Sequence, residues 1–516
     1  MDPVNIAARL AERAALHPDR AAIVDRTGRR LTFGELDRRV RALGAGLARR
    51  GLGPGDSVLL FVPLSTDLYV ALLATLHCGA TAVFVDAWAD RRRLDAAVRV
   101  ASPKMFIGTP KAQLLRLLSP AIRRIPVHLT AGTRFLPLRR YESATPTGPA
   151  SIDDDTPALV TFTTGSTGTP KAAARSHSFL WAQHLALANH LRPREDDVDM
   201  PTLPVFVLNN LASGIPSVLP DFDPRRPADI DPARIHRQMV SEGVTTSSGS
   251  PAFYERLARW CAETGARIPL RALFTGGAPV LPPLARLLTT VADGSVGVVY
   301  GSSEAEPISG IEARDMLAAM RGPAEGICVG RPVPEVEVRI LRPHDGPIAD
   351  LAGWEVARGE TGEVAVAGAH VLAGYLNDPE AELRNKIHDA GRVWHRTGDA
   401  AWLDDEGRLW LMGRIAERVH RDGRVWWGGA AEVRALQVEG VRHAAYLCIA
   451  DPERGQRAVL CVETASAALS ATDRERLIAV LAPIPVDEVR AFRTIPRDPR
   501  HASKTDTAAL RRRLAR

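Results

Sequence analysis

The residues most suited to chemistry are concentrated in one stretch that follows the apolar segment Ala158–Phe162. It reads Thr163-Thr164-Gly165-Ser166-Thr167-Gly168-Thr169-Pro170-Lys171. Glycines let the backbone approach a ligand closely, hydroxyl groups donate hydrogen bonds, and Lys171 supplies a positive charge, so the stretch predicts a phosphate-binding loop between a strand and a helix at His177–Leu191. It is not a Walker A loop, because the GxxxxGK[ST] pattern is absent. The alternative is a flexible Gly/Thr loop without function, and the five hydroxyl residues in nine positions count against it.

Five shorter candidates follow in order along the chain. They are Gly276-Gly277-Ala278-Pro279, Tyr300-Gly301-Ser302-Ser303-Glu304, Thr397-Gly398-Asp399, Gly413-Arg414 and Lys504. Each has an ordinary explanation when taken alone, because such a Gly/Ser segment is usually a turn and a lone Lys near a C-terminus is usually solvated. Their joint order behind a phosphate loop favours a nucleotide site.

These six segments together resemble the signature motifs of the adenylate-forming (AMP-binding) superfamily, which includes acyl-CoA synthetases, luciferases and nonribosomal peptide adenylation domains. The resemblance covers essentially the whole chain and implies that ATP activates a carboxylic acid as an acyl-AMP. It implies a nucleotide site with Tyr300 stacked on the adenine, Asp399 on the ribose hydroxyls and Arg414 near the ribose and α-phosphate. Gly277 and Ala278 lie beside the adenine in this site, and Gly301, Ser302 and Ser303 accompany Tyr300. The phosphate loop contributes Thr163, Thr164, Gly165, Ser166, Thr167, Gly168 and Lys171.

The resemblance also implies three catalytic residues, Glu304, Arg414 and Lys504, with Glu304 as the ligand of Mg²⁺. A carboxylate and a triphosphate repel each other, so the site has to neutralise charge before they react. We expect Lys504 to bridge the carboxylate and the α-phosphate only when a small C-terminal domain closes over the site.

Several segments resemble one branch in particular, the β-lactone synthetases of bacterial olefin biosynthesis. They are residues 201–206, 219–224, 249–252 and 326–334. That resemblance implies a long-chain 3-hydroxy acid whose own hydroxyl displaces AMP and closes a four-membered ring, a step that gains from proximity. The site also departs from the usual acyl-CoA ligase, with Phe206-Val207 in place of an aromatic-His pair, Ala416 at the hinge, and no Lys-x-x-Gly-x-Arg pattern across residues 420–427.

Two other functions stay open at this point. One is a fatty acyl-CoA or acyl-carrier-protein ligase that forms a thioester, and the other is a nucleotide-binding protein without turnover. The candidate substrate pocket consists of Phe206, Val207, Asn209, Asn210, Gly249, Ser250 and Ala278. Asn209 and Asn210 hold a polar group of the acid in this interpretation, although Asn pairs also make ordinary turns.

The elements that must position these residues indicate an α/β fold. Thr32 and Glu35 have the spacing of a capping box that begins a helix, and strands alternate with helices to about residue 310, as in parallel sheets covered by helices. After Gly330, period-2 patterns such as Gly362–Ala367 predict antiparallel strands. We therefore expect a large N-terminal AMP-binding domain of helix-covered sheets with a β-rich subdomain, residues 1–412, and a small mobile α/β lid, residues 413–516.

Composition is compatible with these assignments. The 516 residues are 45% hydrophobic and 24% charged with a formal net charge of +6, and no apolar run reaches the roughly 18 residues of a membrane span. The five scattered cysteines predict buried thiols, neither a disulfide framework nor a zinc site. No secretory signal follows Met1, so we expect a cytoplasmic enzyme. Its expected partners are the acid and ATP, with pathway enzymes or an acyl carrier protein as further candidates. The basic run Arg511–Arg513 could face nucleic acid or an acidic carrier protein, but a solvated helix face also explains it, and we expect no nucleic-acid partner.

Overall fold

The computed structural model describes residues 5–85, 91–132, 147–164, 170–223, 225–322, 325–452, 455–498 and 503–515. In chain order, the elements up to residue 191 are α1 (Ile6–Leu16), β1 (Ala21–Val24), β2 (Arg30–Thr32), α2 (Phe33–Ala48), β3 (Ser57–Phe61), α3 (Thr66–His77), β4 (Thr81–Phe84), α4 (Arg91–Ala101), β5 (Met105–Gly108), α5 (Pro110–Gln113), α6 (Leu115–Leu118), α7 (Pro120–Arg123), β6 (Val127–Thr130), β7 (Pro157–Thr164), β8 (Pro170–Ser176) and α8 (His177–Leu191).

The elements of the middle of the chain are β9 (Asp199–Pro201), α9 (Pro204–Ser213), β10 (Ser217–Val218), α10 (Pro232–Ser241), β11 (Thr246–Gly249), α11 (Pro251–Thr264), β12 (Ala272–Gly276), α12 (Pro282–Val291), β13 (Ser295–Ser302), β14 (Ala305–Glu312), α13 (Ala313–Ala319), β15 (Ile327–Pro332), β16 (Glu337–Leu341), β17 (Gly362–Ala367), α14 (Pro379–Asn385), β18 (Lys386–Asp389), β19 (Arg392–Leu403) and β20 (Leu409–Arg414). After a single 3-10 turn at Ile415–Glu417, the remaining elements are β21 (Val419–Arg421), β22 (Arg424–Trp426), α15 (Gly428–Ala435), β23 (His443–Asp451), β24 (Gly455–Glu463), α16 (Ala471–Leu481), β25 (Glu488–Phe492) and α17 (Thr507–Leu514).

Local sequence explains where several of these elements begin. The Thr32 side chain accepts a hydrogen bond from Glu35 N at 3.2 Å, and the Glu35 carboxylate accepts one from Thr32 N at 3.1 Å, so the predicted capping box at α2 is confirmed. The Ser176 hydroxyl accepts a hydrogen bond from Phe179 N at 3.1 Å and begins α8 at its predicted residue. Side-chain oxygens at helix starts accept hydrogen bonds from backbone N–H groups that otherwise lack partners. These contacts determine the first residues of α2 and α8.

The first sheet of the described residues has six strands in the order β6-β5-β3-β4-β7-β8. Its strands are parallel except β8, which is antiparallel to β7. Alternate residues of β3 pack into different cores, with Val58 and Leu60 under α1–α3 and Leu59 on the face covered by α4. Both faces of this sheet are therefore buried, as expected of parallel strands covered by helices.

The second sheet has fourteen strands among the described residues, in the order β16-β17-β19-β20-β15-β14-β13-β12-β11-β9-β10-β1-β2, with β18 paired to β19. Strands β9 to β13 pair in parallel, and the strands from β14 to β20 pair antiparallel, as predicted. The period-2 pattern of Gly362–Ala367 does not mean one exposed face, because all six residues are buried. Val364 and Val366 enter one core while Ala365 and Ala367 enter another.

The C-terminal part has a three-stranded sheet, β23-β24-β25, with α15 and α16 on one of its cores. This core also contains Ala400 and Met412 of the second sheet, so packing is continuous across residues 412 and 413. The division of the chain at this point and the mobility of the lid stay predictions.

Two further expectations concern buried and membrane segments. All five cysteines are free thiols, four of them buried and Cys448 partly buried, and burial raises the pKa of Cys78 to about 12. Within the described ranges, every helix is too short or too polar to cross a lipid bilayer.

Candidate active site

A cavity of about 1720 Å³ lies where strands of both sheets end. Its walls include the carboxyl ends of β3, β4, β12 and β13, together with residues of the C-terminal part. Ligands of α/β proteins bind at the carboxyl ends of parallel strands, so the fold itself favours this place. The predicted site residues on its wall are Lys171, Gly277, Ala278, Tyr300, Gly301, Ser302, Ser303, Glu304, Asp399, Arg414 and Lys504.

Asp399 is the centre of one hydrogen-bonded group in this cavity. The Tyr300 hydroxyl donates to Asp399 Oδ2 at 2.8 Å, and Arg414 Nη1 donates to Asp399 Oδ1 at 2.6 Å and to the carbonyl of Thr397 at 3.2 Å. Asp399 and Arg414 are direct partners in the pairing of β19 with β20, which explains why the two side chains meet. Burial and the neighbouring Asp399 carboxylate raise the pKa of Tyr300 well above its usual value, so the hydroxyl keeps its proton as a donor.

The turn after β12 needs glycine at both of its first positions. A Cβ on Gly276 would lie 2.4 Å from the carbonyl oxygen of Val299 on the next strand, and Gly277 has a φ of +78°. Only glycine allows this approach of two backbones and adopts the left-handed region without strain. The turn places Ala278 on the cavity wall beside the end of β13.

The segment that carries Glu304 is held by its own side chains and by Arg175. The Ser302 hydroxyl accepts hydrogen bonds from the backbone N–H groups of Glu304 and Ala305, both at 3.2 Å. Arg175 donates to the carbonyl of Ser303 at 2.6 Å and to the Thr161 hydroxyl at 2.9 Å. Arg175 thereby fixes the tight turn between β13 and β14 to the first sheet, so the two sheets contribute jointly to the position of the Glu304 carboxylate.

A second charged group surrounds the side chain of Tyr375. Its hydroxyl donates to Glu304 Oε1 at 3.2 Å, and the ammonium nitrogens of Lys171 and Lys386 lie 5.4 Å and 5.3 Å from the centre of its ring. Cations above an aromatic face are attracted by its negative face. Burial lowers the pKa of Lys171, and it lowers the pKa of Lys386 to about 7. Lys386 donates to the carbonyl of Leu372 within this group.

A magnesium ion fits the chemistry of this group. Glu304 supplies carboxylate oxygens, which Mg²⁺ prefers, and Lys171 lines the same cavity. Among the described residues, no cluster of three or more His, Cys, Asp or Glu side chains forms a complete protein cage. This is the usual arrangement for Mg²⁺, which takes one or two carboxylates and completes its shell with water and substrate phosphates.

A buried ion pair supports the strand that carries Asp399. Arg396 Nε donates to Glu363 Oε2 at 3.0 Å, and the side chains are 6% and 5% exposed. Glu363 Oε1 accepts a hydrogen bond from Gly398 N at 3.2 Å, one residue before Asp399. Burial raises the pKa of Glu363, although Arg396 opposes the shift.

The predicted phosphate loop lies mostly outside the described residues. Gly165, Ser166, Thr167, Gly168 and Thr169 are not among them, and Thr163 and Thr164 are described only as the end of β7. Strand β8 pairs antiparallel with β7, with Thr163 opposite Lys171, so the loop joins two strands of a hairpin. The helix predicted at His177–Leu191 is confirmed as α8, whereas the seven-residue strand β8 that precedes it was not predicted.

Most residues of the predicted substrate pocket lie away from this cavity. Of its seven residues, Ala278 lines the cavity, whereas α9 contributes Pro204, Val205 and Leu208 instead of Phe206, Val207, Asn209 and Asn210. Val207 is fully buried in the core beneath α1–α3. Helical geometry explains part of the difference, since positions 206 and 210 lie about half a turn around α9 from positions 204, 205 and 208.

The polar residues of that prediction have structural partners. Asn210 donates to Asp199 Oδ2 at 2.8 Å and to the Ser217 hydroxyl at 3.0 Å, and Asn209 Oδ1 lies 2.9 Å from His184 Nδ1. The Ser250 hydroxyl accepts a hydrogen bond from Phe253 N at 3.4 Å and begins α11, while Gly249 packs against Thr202. The structure therefore does not bring Asn209, Asn210, Gly249 or Ser250 to the cavity.

Lys504 lies on the same cavity wall as Tyr300 and Glu304. Its carbonyl accepts a hydrogen bond from Asp498 N at 2.8 Å, and the following Thr505 hydroxyl lies 3.0 Å from His443 Nε2. The position of Lys504 is thus supported by its own carbonyl and by the side chain of the next residue. Its catalytic role stays a prediction, as do the roles of the other site residues.

The sequence did not indicate Tyr375, Lys386, Arg175 or the Arg396–Glu363 pair. Arg396 directly precedes Thr397-Gly398-Asp399, so proximity to a motif was an available signal for it. Lys386 is one ordinary lysine after α14, and no local pattern distinguishes it.

Comparison with known proteins agrees with this geometry. The model of the AMP-binding enzyme family matches residues 10–376. The olefin β-lactone synthetase of Stenotrophomonas maltophilia (strain K279a) is 36% identical over 435 residues, which are 78% of this chain and 77% of that protein. Two solved structures share the fold. The amide bond synthetase McbA from Marinactinospora thermotolerans has a TM-score of 0.82 and is 24% identical over 99% of both chains. ATP-bound MatB from Rhodopseudomonas palustris has a TM-score of 0.81 and is 23% identical over 100% of this chain and 99% of that chain. The chain belongs to the AMP-binding enzyme family and is an adenylate-forming ligase.

Proposed function

We propose that this enzyme converts a long-chain 3-hydroxy acid and ATP into a β-lactone, AMP and pyrophosphate. In the first step a carboxylate oxygen of the acid attacks the α-phosphorus, a new P–O bond forms, and pyrophosphate leaves. In the second step the hydroxyl oxygen on the third carbon attacks the carbonyl carbon of the acyl-AMP. The C–O bond to AMP breaks, AMP leaves as an anion, and the hydroxyl proton is released.

The observation that carries this proposal is the apolar part of the cavity wall, together with the likeness to a 36% identical relative. This part includes Leu64, Leu68, Leu72, Phe84, Leu115, Leu203, Val205 and Leu208. Such a wall suits an alkyl chain, since each CH₂ removed from water contributes about 0.8 kcal/mol. The 36% identical relative is named an olefin β-lactone synthetase.

The arrangement of charges fits the first step. We assign the ribose to Asp399, the adenine to the side chain of Tyr300 and the turn at Ala278, and the phosphates to Lys171 and the loop before it. Glu304 would hold Mg²⁺, which neutralises phosphate charge when it is bound. Lys504 and Arg414 then supply the positive charges that stabilise the pentavalent phosphorus.

The second step needs no outside nucleophile, and the C-terminal part offers little to a thiol carrier. In the hairpin β21–β22, Arg421 donates to both carboxylate oxygens of Asp487, at 3.1 Å and 2.7 Å. Arg418 donates to Asp345 at 2.7 Å. These guanidinium groups already have carboxylate partners, so a phosphorylated carrier such as coenzyme A would have to replace them.

A pair of matched acids tests the proposal. With ATP, a 3-hydroxy acid should release AMP and give a β-lactone without any thiol, whereas the same acid without its hydroxyl should support ATP–pyrophosphate exchange and stop at the adenylate. Infrared or NMR detection of the strained ring identifies the product. A strict requirement for coenzyme A, or a thioester as the product, would replace this proposal with a ligase of the acyl-CoA type.

A variant pair tests the assignment of Lys504. Lys504→Ala should lower the rate of adenylation by about 10²–10³, as expected when one donor to the transition state is removed, and should leave ATP binding nearly unchanged. Arg512→Ala, on the exposed face of α17, is the matched control and should keep full activity. Equal rates in both variants would refute the role of Lys504.

A further inference from the structure

The segment from Arg91 to Gly132 is unusually basic. It contains nine Lys and Arg residues and one acidic residue, Asp95, so its charge of +8 exceeds the +6 of the whole chain. Eight of these cations are exposed: Arg91, Arg92, Arg93 and Arg99 on α4, Lys111 on α5, Arg116 on α6, and Arg123 and Arg124 at the end of α7. This part of the surface therefore attracts anions while the remainder of the chain is slightly acidic.

Three leucines protrude from the same segment. Leu114, Leu117 and Leu118 are 58%, 80% and 61% exposed, on and beside the one-turn helix α6. The opposite side of these short helices is well packed, since Ile122, Ile125 and Ala112 are buried against Phe106 and Leu94. The outward leucines are thus a feature of an ordered structure and are not the result of a poorly packed segment. We call Leu114, Leu117, Leu118, Arg116, Arg123 and Arg124 the basic–leucine surface.

The arginines of α4 lie beside this surface because α4 packs on α7. A side-chain hydrogen bond from the Ser119 hydroxyl to Asp95 joins the two helices, and Asp95 also lies 3.9 Å from Arg91. The one acidic group of the segment is therefore already engaged within it and does not neutralise Arg116, Arg123 or Arg124.

The basic–leucine surface is continuous with the active-site cavity. Leu115, the first residue of α6, lines that cavity together with Thr109 and Lys111, which precede it on α5 and at its start. Within residues 114–118, Leu115 therefore lines the cavity, whereas the other four side chains are exposed on the outer surface. An apolar molecule at the outer surface would be within one helical turn of the cavity.

We propose that the basic–leucine surface docks the enzyme on an anionic lipid bilayer, with the three leucines inserted among the acyl chains and the arginines on the head groups. Isolated leucines that protrude among cations are typical of side chains that enter a deformable interface. A protein partner is the weaker choice, because protein interfaces are centred on aromatic residues and the segment's one Phe, Tyr or Trp, Phe106, is fully buried. The inference does not depend on whether the product is a lactone or a thioester.

Vesicle flotation tests this docking with the full chain. The enzyme should float with vesicles of phosphatidylcholine and phosphatidylglycerol, should not float with phosphatidylcholine alone, and should be released by high salt. The triple variant Arg116→Gln/Arg123→Gln/Arg124→Gln should lower partitioning on the order of 10²-fold, from roughly fivefold per cation. The variant Leu114→Ser/Leu117→Ser/Leu118→Ser should lower it by roughly tenfold or more.

Matched substitutions elsewhere control for charge and hydrophobicity. Arg256→Gln/Arg259→Gln/Arg286→Gln removes three exposed cations of α11 and α12, and Leu16→Ser/Val240→Ser/Ile478→Ser removes three exposed apolar side chains. Both should bind vesicles like the unmodified enzyme, and all four variants should keep ATP–pyrophosphate exchange with a short soluble acid. No binding to anionic vesicles, or equal binding by all four variants, would overturn the proposal. So would capture of a purified acidic acyl carrier protein through the same residues without vesicle binding, which would assign the surface to a protein.

Discussion

Replacing Arg396 with methionine tests how the strand that carries Asp399 is held. Arg396 and Glu363 are 6% and 5% exposed, so the substitution leaves a carboxylate without its buried cation. It also removes the donors to the carbonyls of Gly346 and His344. Loss of one partner from a buried ion pair costs about 3–5 kcal/mol, because the remaining charge stays out of water. We therefore expect Arg396→Met to lower the free energy of unfolding by about that amount.

The pH dependence of this loss carries the sharper test. Burial already holds the pKa of Glu363 above its ordinary value, and without Arg396 that pKa should rise further. A carboxyl whose folded-state pKa is raised binds its proton more tightly in the folded state, so it loses stability as pH rises through the window between its ordinary and raised values. The deficit of Arg396→Met should therefore be smaller at about pH 5 than at about pH 8.

Urea unfolding followed by circular dichroism measures both quantities, and Arg339→Met is the matched control. Arg339 and Glu355 form an exposed pair at 3.4 Å, with side chains 45% and 53% exposed, and such pairs contribute about 0–1 kcal/mol. Because Glu363 also accepts the hydrogen bond from Gly398 N, we expect Arg396→Met to raise the KM for ATP as well. Equal losses in both variants, or a deficit of Arg396→Met that does not change with pH, would refute the reasoning.

Two other buried groups give pH-dependent expectations. Burial lowers the pKa of Lys386 to about 7, so the unmodified enzyme should gain stability relative to Lys386→Met as pH rises above about 7. Thermal unfolding at a series of pH values measures this difference, and a difference that stayed constant with pH would contradict the expectation. Burial lowers the pKa of His177 to about 4, and its ring accepts a hydrogen bond from Ile6 N at 3.2 Å. The free energy of unfolding should therefore fall by up to about 3 kcal/mol as pH falls from the ordinary pKa of histidine to about 4. His177→Asn keeps an acceptor that does not titrate, and acid unfolding curves that lose stability in parallel with the unmodified enzyme would show that His177 is not responsible.

The sequence was most informative where one residue determines local geometry. The predicted Thr32–Glu35 box and the predicted start of the helix at His177 are both confirmed, and each depends on a cap with neighbours within three residues. The convergence of Tyr300 and Asp399 was expected from the family resemblance, which implies that both contact one nucleotide, although both residues lie within strands, β13 and β19.

Contacts distant in sequence explain the failures. No strand was predicted for residues 170–176. Their Lys-Ala-Ala-Ala-Arg run favours a helix by propensity, and yet they form β8 because pairing with β7 decides their conformation. Residues of α9 other than the predicted ones line the cavity, because the orientation of α9 is set by packing of Val207 and Leu211 into the core, which no local pattern reveals. Lys386 is distinguished only by its burial, a property of the assembled fold.

The Asp399 carboxylate is oriented by its own protein partners before a nucleotide binds. Each of its oxygens accepts one hydrogen bond, from the Tyr300 phenol or from the Arg414 guanidinium. An ionised carboxylate has about four acceptor sites, so both oxygens can accept further donors. Because the two partners fix the direction of the remaining sites, we expect a sugar whose hydroxyls match that direction to bind without reorganising the carboxylate.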